Sequence, residues 1–262
     1  MRLDWNSQHI VLTGATGGLG RELASQLTDV GVRLTLVGRN ETELTQLAKS
    51  LQQDYWVADI TQSKARNLLV EHLCSQSDTL PVTGLINNAG MAAEGVFEQQ
   101  YSQAEAMLST NLLAPILLTA ELLPELKSRR SFILNVGSVF GRIGFPGQTL
   151  YCATKFGLKG FTESLRRELS DTSVRVMYTA PRAIKTGFNG PLMQALNART
   201  QTTEDAPDVV ADCIIKQIKS GQINRTIGFP EKLYVVLNSI RPQWLDGALF
   251  KVNRTLKSII KE

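Results

Sequence analysis

The chain has few of the residues from which disulfide frameworks and histidine-based metal sites are built. Among its 262 residues there are three cysteines and two histidines. Cys74, Cys152 and Cys213 are odd in number and widely spaced, so they predict reduced thiols, as in a cytoplasmic protein. His9 and His72 are interpreted as structural, and no metal site is expected.

Long apolar runs are also missing. No run approaches the roughly 20 consecutive apolar residues of a membrane span. The first six residues lack the apolar core of a signal peptide. A composition of 43% hydrophobic and 20% charged residues is typical of a soluble globular protein, and the length suits one large α/β domain better than two.

An excess of one sign of charge is nearly absent from most of the chain and is concentrated at its C-terminal end. The formal net charge is +4, but the residues from Glu231 onward contain six Lys or Arg and three Asp or Glu. The rest of the chain is therefore close to neutral, which argues against nucleic-acid binding. The basic excess belongs to the C-terminal tail, residues 230–262.

Apolar, β-rich runs alternate with helical patterns along residues 1–229, which predicts a parallel sheet covered on both faces. The sequence thus predicts an α/β fold: a doubly wound, seven-stranded Rossmann sheet in one domain, followed by a helical tail. The predicted strands are His9–Thr13, Arg33–Val37, Tyr55–Ala58, Gly84–Asn87, Ser131–Val136, Ser173–Thr179 and Arg225–Gly228. The predicted helices are Leu19–Val30, Glu41–Gln52, Ser63–Ser75, Gln103–Lys127, Thr149–Leu169 and Pro207–Ser220.

Two segments interrupt this pattern. Pro115 and Pro124 lie inside the fourth predicted helix, so a kink or break is expected there. The stretch Arg182–Asp205 is rich in Gly, Asn and Thr and has few regular signals. Because it lies between a strand and a helix, it is interpreted either as a mobile lid over a substrate or as an ordinary surface loop.

A glycine-rich turn follows the first strand, in the segment Thr13–Gly20. Gly14 and Gly18 allow a tight turn and a close approach to a phosphate, and Gly20 allows close packing of helix on strand. The helix that follows points its N-terminal amides at the turn, as in pyrophosphate sites. The spacing G-x-x-x-G-x-G differs from the commonest fingerprint, so a turn without a ligand remains the alternative.

The end of the second strand indicates which dinucleotide is bound. NAD-binding versions of the fold place a carboxylate there to hold the ribose 2′-hydroxyl. This chain has Arg39, which can pair with a 2′-phosphate and thus favours NADP(H). A solvated surface arginine is the alternative.

A catalytic pair is suggested by Tyr151 and Lys155, which are four residues apart and share one face of a helix. Tyrosine has a pKa of about 10, and lowering it to near 7 requires roughly 4 kcal/mol of extra stabilisation of the phenolate. A nearby ammonium and a charged nicotinamide are expected to supply it. Ser138 follows the fifth strand, where its hydroxyl can hydrogen-bond a substrate oxygen.

Together these motifs resemble those of the short-chain dehydrogenase/reductase family, in its single-domain form, over about residues 8–228. The resemblance implies that Tyr151 is the acid/base and that Lys155 holds the nicotinamide ribose and lowers the pKa of the tyrosine. It also implies that Ser138 orients the carbonyl and that Asn111 maintains a water relay beneath the lysine. Satisfying backbone groups in a helix bend is the alternative role of Asn111.

The same resemblance implies a set of cofactor contacts. Asp59 and Ile60 would contact the adenine, although Asp59 can instead cap a helix ahead of Thr61. The segment Asn87–Gly90 would form the wall beside the adenine ribose. The complete predicted set is Gly14, Thr16, Gly17, Gly18, Leu19, Gly20, Arg39, Asp59, Ile60, Asn87, Ala89, Gly90, Tyr151, Lys155, Pro181 and Thr186.

One position departs from the family pattern. After the sixth strand the family usually has Pro-Gly and then a Thr that reaches the nicotinamide amide. Here Pro181 and Thr186 are present, but Arg182 stands in place of the glycine. If that position needs a positive φ, Arg182 is strained. If the backbone takes another path, Arg182 can face the substrate or the cofactor phosphates, which would favour an anionic substrate group.

The tail is predicted to form two helices, bounded by Pro230 and Pro242. In the second helix an apolar stripe lies opposite a basic face. The stripe consists of Leu245, Leu249, Val252, Leu256 and Ile259, and the basic face of Lys251, Arg254, Lys257 and Lys261. Such a helix can lie peripherally on an anionic membrane, or it can dock on its own core or on a sister subunit.

The sequence therefore predicts an NADP(H)-dependent oxidoreductase acting on a small-molecule carbonyl or alcohol, with a hydrophobic or lipid-like substrate. The resemblance implies a homodimer or homotetramer. Two alternatives stay open: a sensor or scaffold that binds NADP(H) without chemistry, for which Arg182 is the one favouring feature, and an isomerase or dehydratase of the same family.

Overall fold

The computed structural model describes residues 4–262 and consists of a parallel sheet with helices on both faces. The seven strands lie in the order β3-β2-β1-β4-β5-β6-β7, and every pairing is parallel. The strands are β1 His9–Thr13, β2 Arg33–Gly38, β3 Asp54–Val57, β4 Gly84–Asn87, β5 Ser131–Val136, β6 Val174–Ala180 and β7 Asn224–Thr226. The order changes direction at β1, with β4 on its other side, which is the switch point of a doubly wound sheet.

Eleven α-helices connect and cover these strands in the described part of the chain. They are α1 Gly18–Asp29, α2 Glu41–Leu51, α3 Ser63–Ser75, α4 Phe97–Gln100, α5 Ala104–Leu108, α6 Ala114–Lys127, α7 Thr149–Glu168, α8 Pro191–Arg199, α9 Pro207–Ser220, α10 Glu231–Ile240 and α11 Gln243–Lys261. The predicted fold class is confirmed, and the predicted boundaries either match the observed ones or differ from them by one or two residues.

Two apolar cores lie on opposite faces of the sheet. On β1, Ile10 and Leu12 point to the core that contains α1, α2 and α9, while Val11 points to the core that contains α3 and α6. All five residues of β1 are buried because side chains alternate between two covered faces. This explains the continuous apolar runs of the central strands.

The two prolines of the fourth predicted helix behave differently. Pro115 lies in the first turn of α6, directly after a π-helical turn, Ser109–Leu113. Pro124 lies inside α6, which continues to Lys127. The predicted irregularity is therefore the π-helical turn before Pro115, and the helix is not interrupted at Pro124.

The helical stretch Phe97–Lys127 is long and apolar enough to cross a membrane, by length and composition alone. In the fold it is divided among α4, α5, the π-helical turn and α6. Leu118, Leu122 and Leu126 of α6 are fully buried in the core beneath the sheet. Its hydrophobicity is thus used in packing α6 against the sheet.

The segment Arg182–Asp205 is more regular than predicted, because it contains α8. The N-cap of α8 is Gly190, which has no side chain to accept from the first-turn amides. The carboxylate of Glu94 takes that role, accepting from the amides of Leu192 at 3.0 Å and Met193 at 2.8 Å. A cap supplied by a residue nearly 100 positions away leaves no local sequence signal.

The tail forms both predicted helices, and the boundary at residues 229 and 230 falls just before α10. Leu245 and Leu249 of α11 pack with Val139 and Ile143 of the domain, together with Val235 of α10. Farther along α11, Leu256 is fully buried against α8. The apolar stripe therefore packs on its own chain, with Leu256 fully buried and the other four residues half-buried.

Candidate active site

A cavity of about 900 Å³ opens at the carboxyl ends of the central strands. This is the edge at which parallel α/β sheets bind ligands. All of the predicted cofactor and catalytic residues line it except Asn87 and Asn111. Those lining it are Gly14, Thr16, Gly17, Gly18, Leu19, Gly20, Arg39, Asp59, Ile60, Ala89, Gly90, Ser138, Tyr151, Lys155, Pro181 and Thr186.

The glycine-rich turn forms a cradle that side chains would fill. Gly14 has φ +66°, and a Cβ there would lie 2.7 Å from the Cα of Ala89. A Cβ on Gly18 would lie 2.5 Å from a methyl carbon of Thr186, and one on Gly20 would collide with the carbonyl oxygen of Gly14. Gly17, the N-cap of α1, offers no side-chain acceptor to the first-turn amides. The cradle therefore fits a dinucleotide pyrophosphate.

Arg39 and Asp59 line one end of the cavity. They follow β2 and β3, whereas the catalytic residues lie near β5, on the other side of β1 in the sheet. Arg39 is exposed at the end of β2 and forms no ion pair with any carboxylate of residues 4–262. One oxygen of Asp59 accepts from the amide of Thr61 at 3.0 Å and from its hydroxyl at 2.8 Å. Asp59 thus stabilises the turn before α3 while it lines the cavity, and the alternative role as a helix cap is not observed, since the N-cap of α3 is Gln62.

Asn87 lies away from the cavity, which corrects its predicted place in the wall. Its side-chain amide donates to Asn135 at 2.8 Å and to Thr119 at 3.2 Å, because the last residue of β4 points into the core beneath the sheet. The next residue, Asn88, lines the cavity and donates to the carbonyl oxygens of Thr13 and Gly14, each at 3.1 Å. Asn88 therefore holds the glycine turn against β4.

Asn111 lies on the π-helical turn, behind the cavity wall. Its side chain accepts from the amide of Met91 at 2.8 Å and donates to the carbonyl of Met91 at 2.8 Å. It also donates to the hydroxyl of Thr154 at 3.2 Å. These contacts match the alternative role, in which Asn111 satisfies backbone groups at a helix bend. The implied water relay stays a prediction.

Ser138 follows β5 in extended conformation and begins a 3₁₀ turn over Val139–Gly141. Its hydroxyl oxygen accepts from the amide of Phe140 at 3.1 Å, which fixes the oxygen and leaves the hydroxyl proton free to donate. The backbone of Ser138 lies against the hydroxyl of Tyr178 on β6, at 3.4 Å. The neighbouring strand therefore holds Ser138 in place at the edge of the cavity.

Tyr151 lies in the first turn of α7 between two aromatic rings. Its ring makes edge contacts with Phe188, at 5.9 Å between centroids, and with Phe140, at 6.5 Å. Burial raises the pKa of the phenol well above 10, because the phenolate would lose its water, and the nearby hydroxyl of Ser138 only partly offsets this. The predicted lowering of this pKa includes the charge of a bound nicotinamide, so it stays a prediction.

Lys155 lies one turn farther along α7, where it is buried and lines the cavity. Its ammonium donates to the carbonyl of Val136 on β5 at 3.0 Å and lies 5.6 Å from the centre of the Tyr151 ring. Burial lowers the pKa of this lysine to about 8, because the charged form has lost most of its water. The helical spacing predicted from the sequence thus brings the two side chains together.

Arg182 lines the cavity, as expected if the backbone takes another path, but it is neither strained nor free to bind an anion. Its φ is not among the positive values found in the described chain. The guanidinium donates to both oxygens of Asp205, at 2.7 and 3.0 Å, and lies 3.3 Å from a carboxylate oxygen of Glu231. Two carboxylates therefore neutralise it, which removes the reason to expect an anionic substrate group.

The far end of the cavity was only partly foreseen. Beyond Tyr151 most of the large side chains in its walls are apolar, alongside polar ones such as Gln148 and Asn197, and they come from the segment after β5, from α8 and from both tail helices. The lining residues there include Phe140, Ile143, Phe145, Phe188, Met193, Tyr234, Leu245, Leu249 and Val252. The sequence signal was the apolar stripe of the tail, which left open whether α11 packs on its own core, on a sister subunit or on a membrane.

Comparison with known proteins decides the family. A family model described as short chain dehydrogenase matches residues 8–197. The chain belongs to this family. A Schizosaccharomyces pombe protein named NADP-dependent 3-hydroxy acid dehydrogenase is 32% identical over 82% of this chain and 87% of its own length.

Other relatives extend the comparison. A Bos taurus protein named 3-ketodihydrosphingosine reductase is 32% identical over 84% of this chain and 71% of its own length. A solved short-chain dehydrogenase from Streptomyces avermitilis superposes with a TM-score of 0.79 at 22% identity, covering 95% of this chain and 98% of the other. The family uses nicotinamide cofactors and acts on small molecules, so the glycine cradle belongs to an oxidoreductase of this family.

Proposed function

We propose that the protein is an NADP(H)-dependent oxidoreductase that interconverts an apolar carbonyl compound and its alcohol. The observation that carries the proposal is one cavity in which Ser138, Tyr151 and Lys155 stand between a glycine cradle and an apolar chamber. The cradle suits the cofactor, and the chamber suits the substrate. The three side chains lie where the two ligands would meet.

The preference for NADP(H) rests on the end of β2. Arg39 and Asn40 line the cavity at this end, and Arg39 has no ion-pair partner in residues 4–262. An unpaired guanidinium attracts a 2′-phosphate and gives no acceptor to a 2′-hydroxyl. The name of the fission-yeast relative, which specifies NADP, supports the same preference.

The side chains are arranged for proton transfer to a carbonyl oxygen. A nicotinamide cofactor held by the glycine cradle would supply or accept the hydride. Ser138 donates its free hydroxyl proton to the carbonyl oxygen, since its own oxygen is held by the amide of Phe140. Tyr151, whose phenol is protonated at neutral pH, lies in the same cavity and donates a proton as the alcohol forms or accepts one in the reverse reaction.

The apolar substrate class rests on the chamber beyond Tyr151. Phe140 and Phe188 flank the phenol, and apolar side chains of α8 and α11 continue the wall. Arg182, which also lines the cavity, is neutralised by Asp205 and Glu231. The bovine relative, named as a reductase of a keto sphingoid compound, supports a substrate with a long apolar part.

The proposal is tested by measuring NADPH oxidation with a series of aldehydes and ketones of increasing chain length. Turnover is expected to improve with apolar length, and Tyr151→Phe should lower it at least about 100-fold without weakening NADPH binding. Tyr101→Phe, an exposed tyrosine outside the cavity, is the matched control and should leave turnover unchanged. Substantial turnover by Tyr151→Phe would contradict the assigned role.

A further inference from the structure

The outward side of the tail carries apolar residues that contact no core. Leu233, Val236 and Ile240 are spaced by three and four residues, so they share one face of α10, opposite the buried Val235. Trp244 continues this exposure at the start of α11. All four are about half exposed or more, and Ile240 reaches 67%. These four residues are called the outward stripe.

Six basic residues accompany the outward stripe on the exposed surface of the tail, and none forms an ion pair with a carboxylate of residues 4–262. They are Lys232, Arg241, Lys251, Arg254, Lys257 and Lys261. Two of the three tail acids, Glu231 and Glu262, are instead paired with Arg182 and Arg199 of the domain. The tail therefore presents more positive charge than its composition suggests.

We propose that the outward stripe and these six cations form a surface that docks the protein on an anionic lipid bilayer. Apolar side chains on the exposed face of a helix enter the boundary between headgroups and acyl chains, and flanking lysines and arginines bind anionic headgroups. Each lysine or arginine near an anionic membrane surface contributes to the free energy of binding. Six cations without ion-pair partners therefore favour a negatively charged partner. This surface differs from the buried stripe of α11, which packs on α8 and the domain.

The two helices of the tail, α10 and α11, also line the apolar chamber. Tyr234 of α10 lines the cavity and directly follows Leu233 of the outward stripe. On α11, Ala248 and Leu249 line the cavity, and the next residue, Phe250, is exposed. Docking through the tail would thus hold the chamber beside the bilayer. This link to an apolar substrate rests on the proposed function, whereas docking itself does not.

Charge also argues against a second copy of the chain as the occupant. A two-fold interface places the same patch of both copies together, so six unpaired cations would face six others. A nucleic acid would match the charge but would leave the outward stripe in water. An anionic bilayer is the partner that meets both features at once.

The test is co-sedimentation of the whole protein with vesicles, without cofactor or substrate. Wild type should bind vesicles of equal parts phosphatidylglycerol and phosphatidylcholine, and bind pure phosphatidylcholine about tenfold more weakly or worse. The variant Val236→Asp/Ile240→Asp should lose about tenfold or more of the binding to anionic vesicles. Val209→Asp, at a valine of α9 with 50% exposure against 52% for Val236, is the matched control and should bind as wild type.

A second pair of variants separates local from overall charge. Lys251→Glu/Arg254→Glu should weaken binding to anionic vesicles about tenfold or more. Lys127→Glu/Lys219→Glu changes the net charge equally at exposed positions of α6 and α9 and should bind nearly as wild type. Equal losses for the two double variants would mean that only the net charge matters, which would overturn the tail as the docking surface.

Three further results would overturn the proposal. They are absence of binding by wild type, equal binding to neutral and anionic vesicles, and an oligomer that Val236→Asp/Ile240→Asp dissociates, since the last would make the surface an interface between copies. Turnover of a short, water-soluble carbonyl should stay unchanged in all variants. Turnover without vesicle binding would refute docking alone, and vesicle binding without turnover would refute the proposed function alone.

Discussion

The cofactor half and the substrate half of the cavity are built in different ways. In the cofactor half, backbone meets backbone: Gly14 packs on Ala89, and Gly20 packs on the carbonyl of Gly14. In the substrate half, side chains of distant segments meet, as Leu256 of α11 does with Met193 and Leu196 of α8. The first arrangement tolerates almost no change in residue type, whereas the second tolerates any apolar side chains of similar total volume.

The largest effect that separates the halves is expected at Lys155, which lies beneath their junction. Lys155→Met should lower turnover at least about 100-fold, because the ammonium beside the phenol and the nicotinamide site is lost. It should not lower the free energy of unfolding, since a buried ammonium with a depressed pKa destabilises the fold and methionine fills its volume. Steady-state kinetics and denaturant unfolding would measure the two quantities.

The pH dependence of unfolding provides the control for this prediction. The folded pKa of Lys155 is about 8, and the unfolded value is 10.5. Between these pH values the unfolded chain binds more protons, so this group makes stability rise with pH, by up to about 3 kcal/mol. Lys155→Met should lack that part of the rise. Identical slopes in the two proteins, or a large loss of stability in the variant, would contradict the account.

A smaller effect, confined to the cofactor half, is expected from Gly18→Ala. The new Cβ would lie 2.5 Å from the Thr186 methyl carbon, so Thr186 must move away from the end of α1. Binding of the dinucleotide should weaken about tenfold, which corresponds to about 1.4 kcal/mol. Gly160→Ala on α7, where nothing lies near the added Cβ, is the matched control and should bind normally. A cofactor affinity equal to that of wild type in Gly18→Ala would contradict the close cradle.

The smallest effect is expected in the substrate half, at Glu94. Glu94→Gln removes the charge that caps α8 while leaving one oxygen to accept from the amides of Leu192 and Met193. Because α8 carries the chamber wall at Met193, KM for the carbonyl should rise a few-fold, and stability should fall by about 1 kcal/mol. Cofactor affinity should stay the same. A parallel loss of cofactor affinity would contradict the separation of the cavity into a cofactor half and a substrate half.

This division also explains how far the sequence predicts the structure. A tight turn requires glycine, and catalysis requires particular side chains at a fixed spacing. The glycine turn, Ser138 and the Tyr151–Lys155 pair are therefore predicted from the sequence alone. The register of Asn87 and Asn88 could not, since both are asparagines at the end of one strand and only the pleat decides which faces the cavity. The helix α8 was missed because its cap comes from Glu94, far away in the chain.

The tail shows the same limit in another form. Its helical periodicity predicted both helices, and the basic excess was visible in composition. Which side of the tail packs was left open, because an apolar stripe does not identify its partner. Arg182 was the opposite case: its unusual residue type suggested strain or an anionic ligand, and two carboxylates from distant segments neutralise it instead.

The most direct test of the central claim is a parallel titration with NADPH and NADH, followed by nicotinamide fluorescence. Wild type should bind NADPH at least about tenfold more tightly, because Arg39 pairs with the 2′-phosphate. Arg39→Ala should lose that preference while keeping its affinity for NADH. Equal affinity of wild type for the two dinucleotides would remove Arg39 from the site, and failure to bind either would contradict the oxidoreductase itself.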